Sequence, residues 1–286
     1  MGSVKHTVCY SSSGQVERFV PHLSTGERMS KIVTLLTDFG TQDGYVAEMK
    51  GVMLKANCDL NIVDISHSIP AQDVAHGAYV LGCVQKQFPA DTIHVGVVDP
   101  GVGTARRAIV ISHASGTFVG PDNGLFTAAL ADGDVISIHE IGHDAGTVSR
   151  TFHGRDVFAP AAAQLSLGVS PGELGPALSD PVKLSGWSTT VDPSGVTGSV
   201  LHIDRFGNAI TNISAELLVG RTIAGVSAGE CEIDRISDTY GDVRAGDAVG
   251  MIGSQDTLEI GVNGGSASDQ LEIKRGMDVV VRWDTD

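Results

Sequence analysis

KIVTLLTDFG at residues 31–40 begins the stretch that decides the fold, and DGYVAEMKGVMLKA at 43–56 and NIVDISHSI at 61–69 complete it. Two short apolar runs rich in β-branched residues flank a segment with helical spacing. The same alternation continues through residues 72–88 and 92–103. Continuous apolar strands that alternate with amphipathic helices are typical of βαβ units. This pattern predicts an α/β domain with a mostly parallel sheet flanked by helices.

The pattern changes in the second half of the chain. At 286 residues the chain exceeds the usual size of one hydrophobic core, so two domains are expected. Residues 183–198 are rich in Pro, Gly, Ser and Thr and are interpreted as a linker. Beyond them, short strands separated by Gly, Asp and Asn turns are typical of a small antiparallel barrel or sandwich. We therefore expect an α/β domain over residues 29–182 and a β-rich domain over 199–286.

The first 28 residues differ from the rest of the chain. They are mostly polar, whereas MSKIVTLLTDFG, from residue 29, reads like a natural start. We interpret residues 1–28 as an extension upstream of the first domain. Its origin, native or artificial, and its state, ordered or disordered, are both left open. They lack the continuous apolar region of a secretory signal, and no apolar run approaches the roughly 20 residues that a membrane span needs. No membrane partner is therefore expected.

Charge and cysteine usage limit the partners and the compartment. The formal net charge is −15, from 34 acidic against 19 basic side chains. Such a surface repels a phosphate backbone, so no nucleic-acid partner is expected. The four cysteines are scattered without a CxxC pair, which fits neither a zinc cluster nor a disulfide framework. A reducing, cytoplasmic location fits best.

Three predicted strands carry acids at or near their ends, namely Asp38, Asp64 and Asp99. Ligands of open α/β sheets bind beyond the carboxyl ends of the strands, so these acids point to a site. The alternative for each acid is a helix cap or an Asx turn. Asp38, Asp43, Asp64 and His67 also resemble divalent-metal ligands in type, but their spacing is not diagnostic. We expect no metal.

The loop DPGVGTARR, at residues 99–107, resembles a phosphate cradle only superficially. Arg106 replaces the last glycine of GxGxxG, and a strand follows where a dinucleotide fold needs a helix N-terminus. The loop instead combines the carboxylate of Asp99 with a permanent cation. TFHGRD, at 151–156, adds His153 before a predicted helix. Taken singly, Arg106 is equally explained by pairing with Asp99, and His153 by a surface or capping position.

Seven strings carry a family resemblance over the chain from about residue 29 to its C-terminus. They are LLTDFGTQDGYVAEMKGVM (35–53), VDISHSI (63–69), VVDPGVGTARR (97–107), GPDNGLFT (120–127), TFHGRDVFAPAAA (151–163), IDRFGNAITNI (203–213) and SQDTLEIGVNGGSA (254–267). In this order they resemble the S-adenosyl-L-methionine (SAM) hydrolases, or SAM hydroxide adenosyltransferases, relatives of fluorinases and chlorinases. The resemblance implies an α/β domain, a C-terminal antiparallel β-barrel, and hydrolysis of SAM to adenosine and L-methionine without a cofactor. It also implies a homotrimer, with each active site between one subunit's first domain and its neighbour's barrel.

The resemblance also implies the catalytic residues. The family's Asp, Arg and His fall by motif on Asp99, Arg106 and His153. Halogenases of this group have tyrosine in place of Asp99 and lack the Arg and His, so the sequence favours water as the nucleophile. A halogenase, a non-catalytic adenosine- or SAM-binding protein, and an assembly module are the alternatives.

Eleven further positions match the family's substrate contacts. They are Asp38, Asp43, Gly44 and Tyr45 for the ribose; Phe206, Asn208, Val262 and Gly264 for adenine; and Asp204, Ser254 and Glu259 for the methionine part. Phe206 is expected to stack on the base and Asn208 to hydrogen-bond to it. Gly154, Gln255 and Val262 differ from the halogenase contact residues, so the contacts to the methionine carboxylate are left open.

The sulfonium of SAM is already a good leaving group, so the chemical difficulty lies in activating water. We expect Arg106 to stabilise hydroxide-like charge, His153 to orient or deprotonate the water, and Asp99 to hold the pair in place. A carboxylate beside a guanidinium is expected to have a depressed pKa. Asp99 is therefore expected to act chiefly by position.

Overall fold

The computed structural model of the protein describes residues 30–131, 133–143 and 146–284. The expected extension, residues 1–28, lies outside the described residues. The chain divides into two compact units. The first comprises the described residues of Met1–Gln72, Val84–Asp122 and Asp132–Pro181, and the second those of Asp73–Cys83, Asn123–Ala131 and Val182–Asp286. In the described part of the chain, no helix is both long and apolar enough to cross a membrane.

The first unit is built on one six-stranded sheet. Its strands are β1 (Ile32–Thr37), β2 (Asn61–Ser66), β3 (Ile93–Val97), β4 (Ala108–His113), β5 (Gly116–Pro121) and β6 (Val135–Glu140), in the order β2-β1-β3-β5-β4-β6. The three pairings among β2, β1, β3 and β5 are parallel, whereas β4 is antiparallel to both β5 and β6. The sheet is therefore mixed. Only two residues join β4 to β5, and so short a connection permits only an antiparallel hairpin.

The described residues form six α-helices. In chain order they are α1 (Tyr45–Ala56), α2 (Val74–Gln85), α3 (Thr127–Ala131), α4 (Ala159–Ser166), α5 (Pro171–Leu174) and α6 (Ala267–Gln270). In α1, Val46, Met49 and Met53 recur at three- and four-residue intervals and are buried. They join the core of the first unit with Val33, Leu35, Val95 and Phe158. The predicted βαβ pattern is thus confirmed for β1, α1 and β2.

The second unit contains a nearly closed, barrel-like sheet. Its strands are β7 (Thr190–Asp192), β8 (Gly195–Ile203), β9 (Ala209–Ser214), β10 (Ile223–Ala228), β11 (Cys231–Ile233), β12 (Ile236–Ser237), β13 (Ala248–Ile252), β14 (Thr257–Val262) and β15 (Asp278–Trp283). Their order is β11-β10-β15-β8-β9-β14-β13-β12, with β7 paired to β8. The described pairings are antiparallel except the parallel pair β12 and β13. In β15, Val279, Val281 and Trp283 alternate into the core.

Strand structure also occurs inside the segment interpreted as a linker. Strand β7 and the start of β8 both lie within residues 183–198. The second unit also takes in residues 73–83 and 123–131, which belong to the range predicted for the α/β domain. The proposed boundaries at 182 and 199 stay a prediction.

Candidate active site

The loop after β3 places two charged side chains at the carboxyl end of the sheet. Strand β3 is buried throughout, and Asp99 follows it directly after Val98. The loop turns at Gly103, whose φ is +75°. A Cβ at this position would lie 2.3 Å from the backbone oxygen of Arg150, so the loop packs tightly against the chain that leads to His153. Only glycine fits this turn without strain.

The two charges of this loop form a buried ion pair. The Arg106 Nε donates to Asp99 Oδ1 at 3.1 Å, and Nη2 donates to Asp99 Oδ2. The side chains of Arg106 and Asp99 are only 7% and 5% exposed. The guanidinium also lies over the ring of Phe158, with its Cζ 5.4 Å from the ring centroid. The bidentate contact fixes the plane of the guanidinium.

His153 completes this charged cluster of Asp99, Arg106 and His153. It directly precedes a π-helical turn, Gly154–Phe158, that continues into α4. The His153 Nδ1 lies 3.0 Å from Arg106 Nη2. Because arginine can only donate, Nδ1 accepts this hydrogen bond and the ring proton resides on Nε2. The ring can therefore donate from Nε2, and its lone pair is already used by Arg106.

Burial and charge shift the pKa values within the charged cluster. Burial lowers the pKa of His153 below its ordinary value, and the positive charge of Arg106 lowers it further. The imidazole is accordingly neutral at neutral pH, which agrees with its acceptor role toward Arg106. Burial raises the pKa of Asp99, although Arg106 acts in the opposite direction. The expected depression of this pKa was therefore wrong, because removal of the carboxylate from water outweighs the ion pair.

The positions predicted for the ribose lie at the same edge of the sheet. Asp38 directly follows β1, the parallel neighbour of β3, so the carboxyl ends of both strands meet there. The Asp38 Oδ2 accepts a hydrogen bond from the Gln72 backbone N–H at 2.7 Å. Asp43, Gly44 and Tyr45 are exposed where α1 begins.

Two residues that the sequence singled out, Tyr45 and Asp64, each contact a residue outside their own helix or strand. The Tyr45 ring meets the Phe152 ring edge-on, with centroids 5.2 Å apart, and so lies beside the chain entering His153. Asp64 lies within β2 and accepts from Lys50 Nζ at 2.7 Å. Among the residues that the structure describes, no three or more His, Cys, Asp or Glu side chains are grouped to hold a metal ion.

The second unit has its own cavity, with a volume of about 710 Å³. All seven positions predicted in this half of the chain line it: Asp204, Phe206, Asn208, Ser254, Glu259, Val262 and Gly264. The other lining residues are Tyr240, Met251, Ile252, Gly253 and Gly265. The cavity thus brings together residues from the turn after β8, from β13 and from β14.

The turn between β8 and β9 presents an aromatic ring at this cavity. The Asp204 Oδ1 accepts from the backbone N–H of Phe206 at 2.8 Å and from that of Asn208 at 2.9 Å. Gly207, with φ of +85°, closes the turn. Phe206 is left 76% exposed, which is unusual for so apolar a side chain. An exposed ring on a rigid turn is suited to stacking on a planar ligand.

A chain of polar contacts runs through the cavity. The Asn208 Nδ2 donates to Asp204 Oδ2 at 3.1 Å and to the Tyr240 hydroxyl at 2.9 Å. Tyr240 in turn donates a short hydrogen bond to Glu259 Oε1. Burial, together with the neighbouring Glu259, raises the pKa of Tyr240, so the phenol stays protonated.

Tyr240 lines the cavity and belongs to this hydrogen-bond network, but it was not among the residues predicted from the sequence. It lies in a short 3₁₀ turn, Tyr240–Asp242, outside any strand or helix pattern. Thr239 and Asp242 form a capping box around it. That box is the local signal that could have shown that Tyr240 is held in place.

The protein has two units that together contain α-helices and β-sheets. One unit holds a buried cluster of Asp, Arg and His, and the other holds a cavity lined by an exposed phenylalanine ring. Residues 33–175 match the N-terminal domain of the SAM hydroxide adenosyltransferases, and residues 198–280 match their C-terminal domain. The chain belongs to the SAM hydroxide adenosyltransferase family.

Two of the similar proteins carry the same name. An (R)-S-adenosyl-L-methionine hydrolase of Thermus thermophilus is 40% identical, over 86% of this chain and 98% of that protein. Another, from Salinispora tropica, is 38% identical over 85% of this chain and 95% of that protein. A crystal structure of an uncharacterised conserved protein from Thermotoga maritima has a TM-score of 0.79 at 34% identity, covering 87% and 99% of the two chains. A fluorinase from Actinopolyspora mzabensis is more distant, at 28% identity over 87% of this chain and 96% of that protein.

Proposed function

We propose that the protein hydrolyses S-adenosyl-L-methionine to adenosine and L-methionine. The observation that carries the proposal is the contact of one buried guanidinium, that of Arg106, with both Asp99 and His153. These three residue types are the ones that distinguish hydrolases from halogenases in the family pattern. The names of the relatives, at 38% and 40% identity over most of the chain, support the same activity.

The charged cluster suits attack by water at the ribose C5′ carbon. The oxygen of water forms a bond to C5′ while the bond between C5′ and sulfur breaks. The electron pair of the broken C–S bond stays on sulfur, so the sulfonium becomes the neutral thioether of methionine. The attacking oxygen gains hydroxide-like character, which the fixed charge of Arg106 stabilises. His153 orients that oxygen by donating from Nε2, because its Nδ1 is occupied by Arg106.

The proton that water loses is taken up by the charged cluster and then by solvent. Asp99 and His153 both bond to the permanently charged Arg106, so the protonation of one affects the protonation of the other. The raised pKa of Asp99 makes it a better proton acceptor than an ordinary aspartate. We propose that these three residues act as a catalytic triad in this sense and that no metal or cofactor takes part.

The substrate positions extend the proposal to binding. Asp38, with Asp43, Gly44 and Tyr45, is assigned to the ribose; Phe206, Asn208, Val262 and Gly264 to adenine; and Asp204, Ser254 and Glu259 to the lining near the methionine part. That seven of these positions line one cavity of the second unit supports the assignment. Asp204 is assigned less to substrate than to holding the turn, since both of its oxygens are used there.

We propose the assembly on the family resemblance, and the compartment on the scattered cysteines that suit a reducing environment. The protein acts as a cytoplasmic homotrimer, whose active sites form between the first domain of one subunit and the antiparallel β-barrel of its neighbour. Mass measurement in solution by light scattering tests this assembly, and a monomer that hydrolyses SAM at full rate contradicts it.

Identification of the nucleoside product tests the proposed activity. Chelator-treated protein is incubated with SAM, with and without chloride, and the product is identified by mass. We expect adenosine in both cases, at many turnovers per site. A chlorinated nucleoside would assign the chain to the halogenases, and tight adenosine binding without any product would make it a binding protein.

A further inference from the structure

The side-chain amide of Asn208 is held in one orientation from two sides. Its Nδ2 donates one hydrogen to Asp204 Oδ2 at 3.1 Å and lies 2.9 Å from the Tyr240 hydroxyl. The Asp204 carboxylate can only accept, so the nitrogen end of the amide must face it. A reversed amide would place two oxygen atoms against each other at this contact.

Glu259 determines the direction of the second contact. The Tyr240 hydroxyl has a single hydrogen, and it is donated to Glu259 Oε1. The phenolic oxygen is therefore left to accept from Asn208 Nδ2. Glu259, Tyr240 and Asn208 thus form a directed chain in which each hydrogen bond fixes the next.

This chain leaves only an acceptor for a ligand at Asn208. Both amide hydrogens are used, and within the described part of the protein no donor reaches Asn208 Oδ1. Asn208 is 6% exposed and lines the cavity beside the exposed ring of Phe206. A planar ligand stacked on that ring therefore has to bring a hydrogen-bond donor to Oδ1.

Space for this arrangement depends on one glycine. A Cβ at Gly261 of β14 would lie 2.8 Å from Tyr240 Cε1 and 3.0 Å from Asn208 Oδ1. The phenol and the amide therefore pack over a position that tolerates no side chain. This close packing makes small rotations of the amide difficult while Tyr240 is in place.

We propose that Tyr240 is a specificity-determining residue, which fixes the Asn208 amide so that the cavity accepts 6-aminopurines and rejects 6-oxopurines. The inference rests on the proposed function, since adenine is the base of that substrate. The 6-amino group of adenine donates to Asn208 Oδ1. The 6-oxo group of hypoxanthine presents an acceptor to the same oxygen, and the two repel. Tyr240 acts through Asn208 and is a positioning residue.

Replacement of one hydroxyl tests the proposal. The affinities of the full-length protein for adenosine and for inosine are measured by calorimetry, in the wild type, Tyr240→Phe and Tyr79→Phe. Tyr79→Phe is a matched control, because its hydroxyl contacts Cys83 and not Asn208. We expect the wild type and the control to prefer adenosine by about ten- to a hundredfold. In Tyr240→Phe we expect the preference to fall at least about tenfold, since the freed Nδ2 hydrogen can turn toward a 6-oxo group.

A second variant covers the case in which Tyr240→Phe fails to fold. Glu259→Gln keeps the size of the side chain but lets residue 259 donate to the Tyr240 oxygen. That oxygen then no longer has to accept from Asn208 Nδ2, which leaves the second amide hydrogen for a 6-oxo group. This variant is also expected to lose preference for adenosine. Weaker binding of both nucleosides with an unchanged ratio would show a purely structural role and overturn the proposal, as would a wild type without preference.

The outcome is independent of whether SAM is hydrolysed. A wild type that prefers adenosine, loses that preference in Tyr240→Phe, but forms no adenosine from SAM would refute the proposed activity and leave this inference standing. Normal hydrolysis of SAM together with an unchanged nucleoside ratio in Tyr240→Phe would do the reverse. For an active enzyme, the variant is expected to raise KM for SAM more than it lowers kcat.

Discussion

The two units differ in how far their candidate site residues are paired and buried. In the first unit, the charges of Asp99 and Arg106 are paired and almost entirely buried, with 5% and 7% of their side chains exposed. In the second unit, Phe206 is 76% exposed next to an amide oxygen that has no donor among the described residues. Preorganised charge lowers the barrier of a reaction, whereas an exposed ring and an unused acceptor recognise a ligand. Substitutions in the first unit should therefore change turnover, and those in the second should change affinity and specificity.

Removal of the central cation should break this comparison most strongly. Arg106→Gln takes away the charge that we propose to stabilise the attacking oxygen, and we expect kcat to fall about 100- to 1000-fold. Adenosine affinity, measured by calorimetry, should stay within a few-fold of the wild type. Arg107→Gln is the matched control, because Arg107 bonds to Asp122 and Asp180 instead. A large loss of adenosine affinity with kcat intact in Arg106→Gln would contradict the division between the units.

The turn that holds Asp99 and Arg106 should be sensitive to a single methyl group. Gly103→Ala places a Cβ at a φ of +75° and 2.3 Å from the Arg150 backbone oxygen. We expect the free energy of unfolding to fall by about 2 kcal/mol or more, and kcat to fall with it. Gly168→Ala is the control, with a φ of +97° but nothing within 4 Å of the added Cβ. Urea unfolding of both variants separates the backbone strain from the clash with Arg150. Equal losses in the free energy of unfolding would show that the clash adds nothing to the cost of Gly103→Ala.

Truncation of the exposed ring should affect binding alone. Phe206→Ala removes the stacking surface, and a base stacked on an aromatic side chain contributes about 1–3 kcal/mol. We expect KM for SAM and Kd for adenosine to rise about five- to a hundredfold while kcat changes little. Val219→Ala removes a side chain that is 77% exposed in the same unit but does not line the cavity. Steady-state kinetics of the two variants decide the matter: a fall in kcat without a rise in KM in Phe206→Ala would argue against a recognition site.

The smallest expected effect is a difference in pH dependence between turnover and adenosine binding. Burial and Arg106 lower the pKa of His153 from the ordinary histidine value of about 6.5. The ring therefore stays neutral at pH values somewhat below 6.5. Protonation at lower pH removes the lone pair that accepts from Arg106 and adds a second positive charge beside it. We therefore expect kcat to be constant above pH 6.5 with respect to His153 and to decline only at more acidic pH. The Kd of adenosine, followed over the same range, should change less, and an acid limb with its midpoint above about pH 6.5 would be incompatible with a neutral, Arg106-bound His153.

Some features of the site could be predicted from sequence because they follow from regular structure. Asp38 and Asp99 lie at one edge of the sheet because they follow β1 and β3, which are adjacent and parallel. The contact between Arg106 and His153 could be expected only from the family resemblance, since it depends on how the turn at Gly103 packs against Arg150. No periodicity encodes such a contact between loops.

Other features escaped the sequence for identifiable reasons. Tyr240 bonds to Asn208 and Glu259 from an irregular turn, so no strand or helix pattern marks it. The pKa of Asp99 was misjudged because the ion pair is visible in the sequence but the depth of its burial is not. The two-residue connection at 114–115, by contrast, was readable, and it would have shown that the first sheet is mixed.

The fate of the oxygen atom of water tests the central claim most directly. SAM is incubated with the protein in water enriched in oxygen-18, and both products are analysed by mass spectrometry. The account predicts one heavy oxygen in adenosine, at its 5′-hydroxyl, and none in methionine, at many turnovers per site. Label in methionine, or adenosine without label, would contradict attack of water at C5′ and with it the role assigned to Asp99, Arg106 and His153.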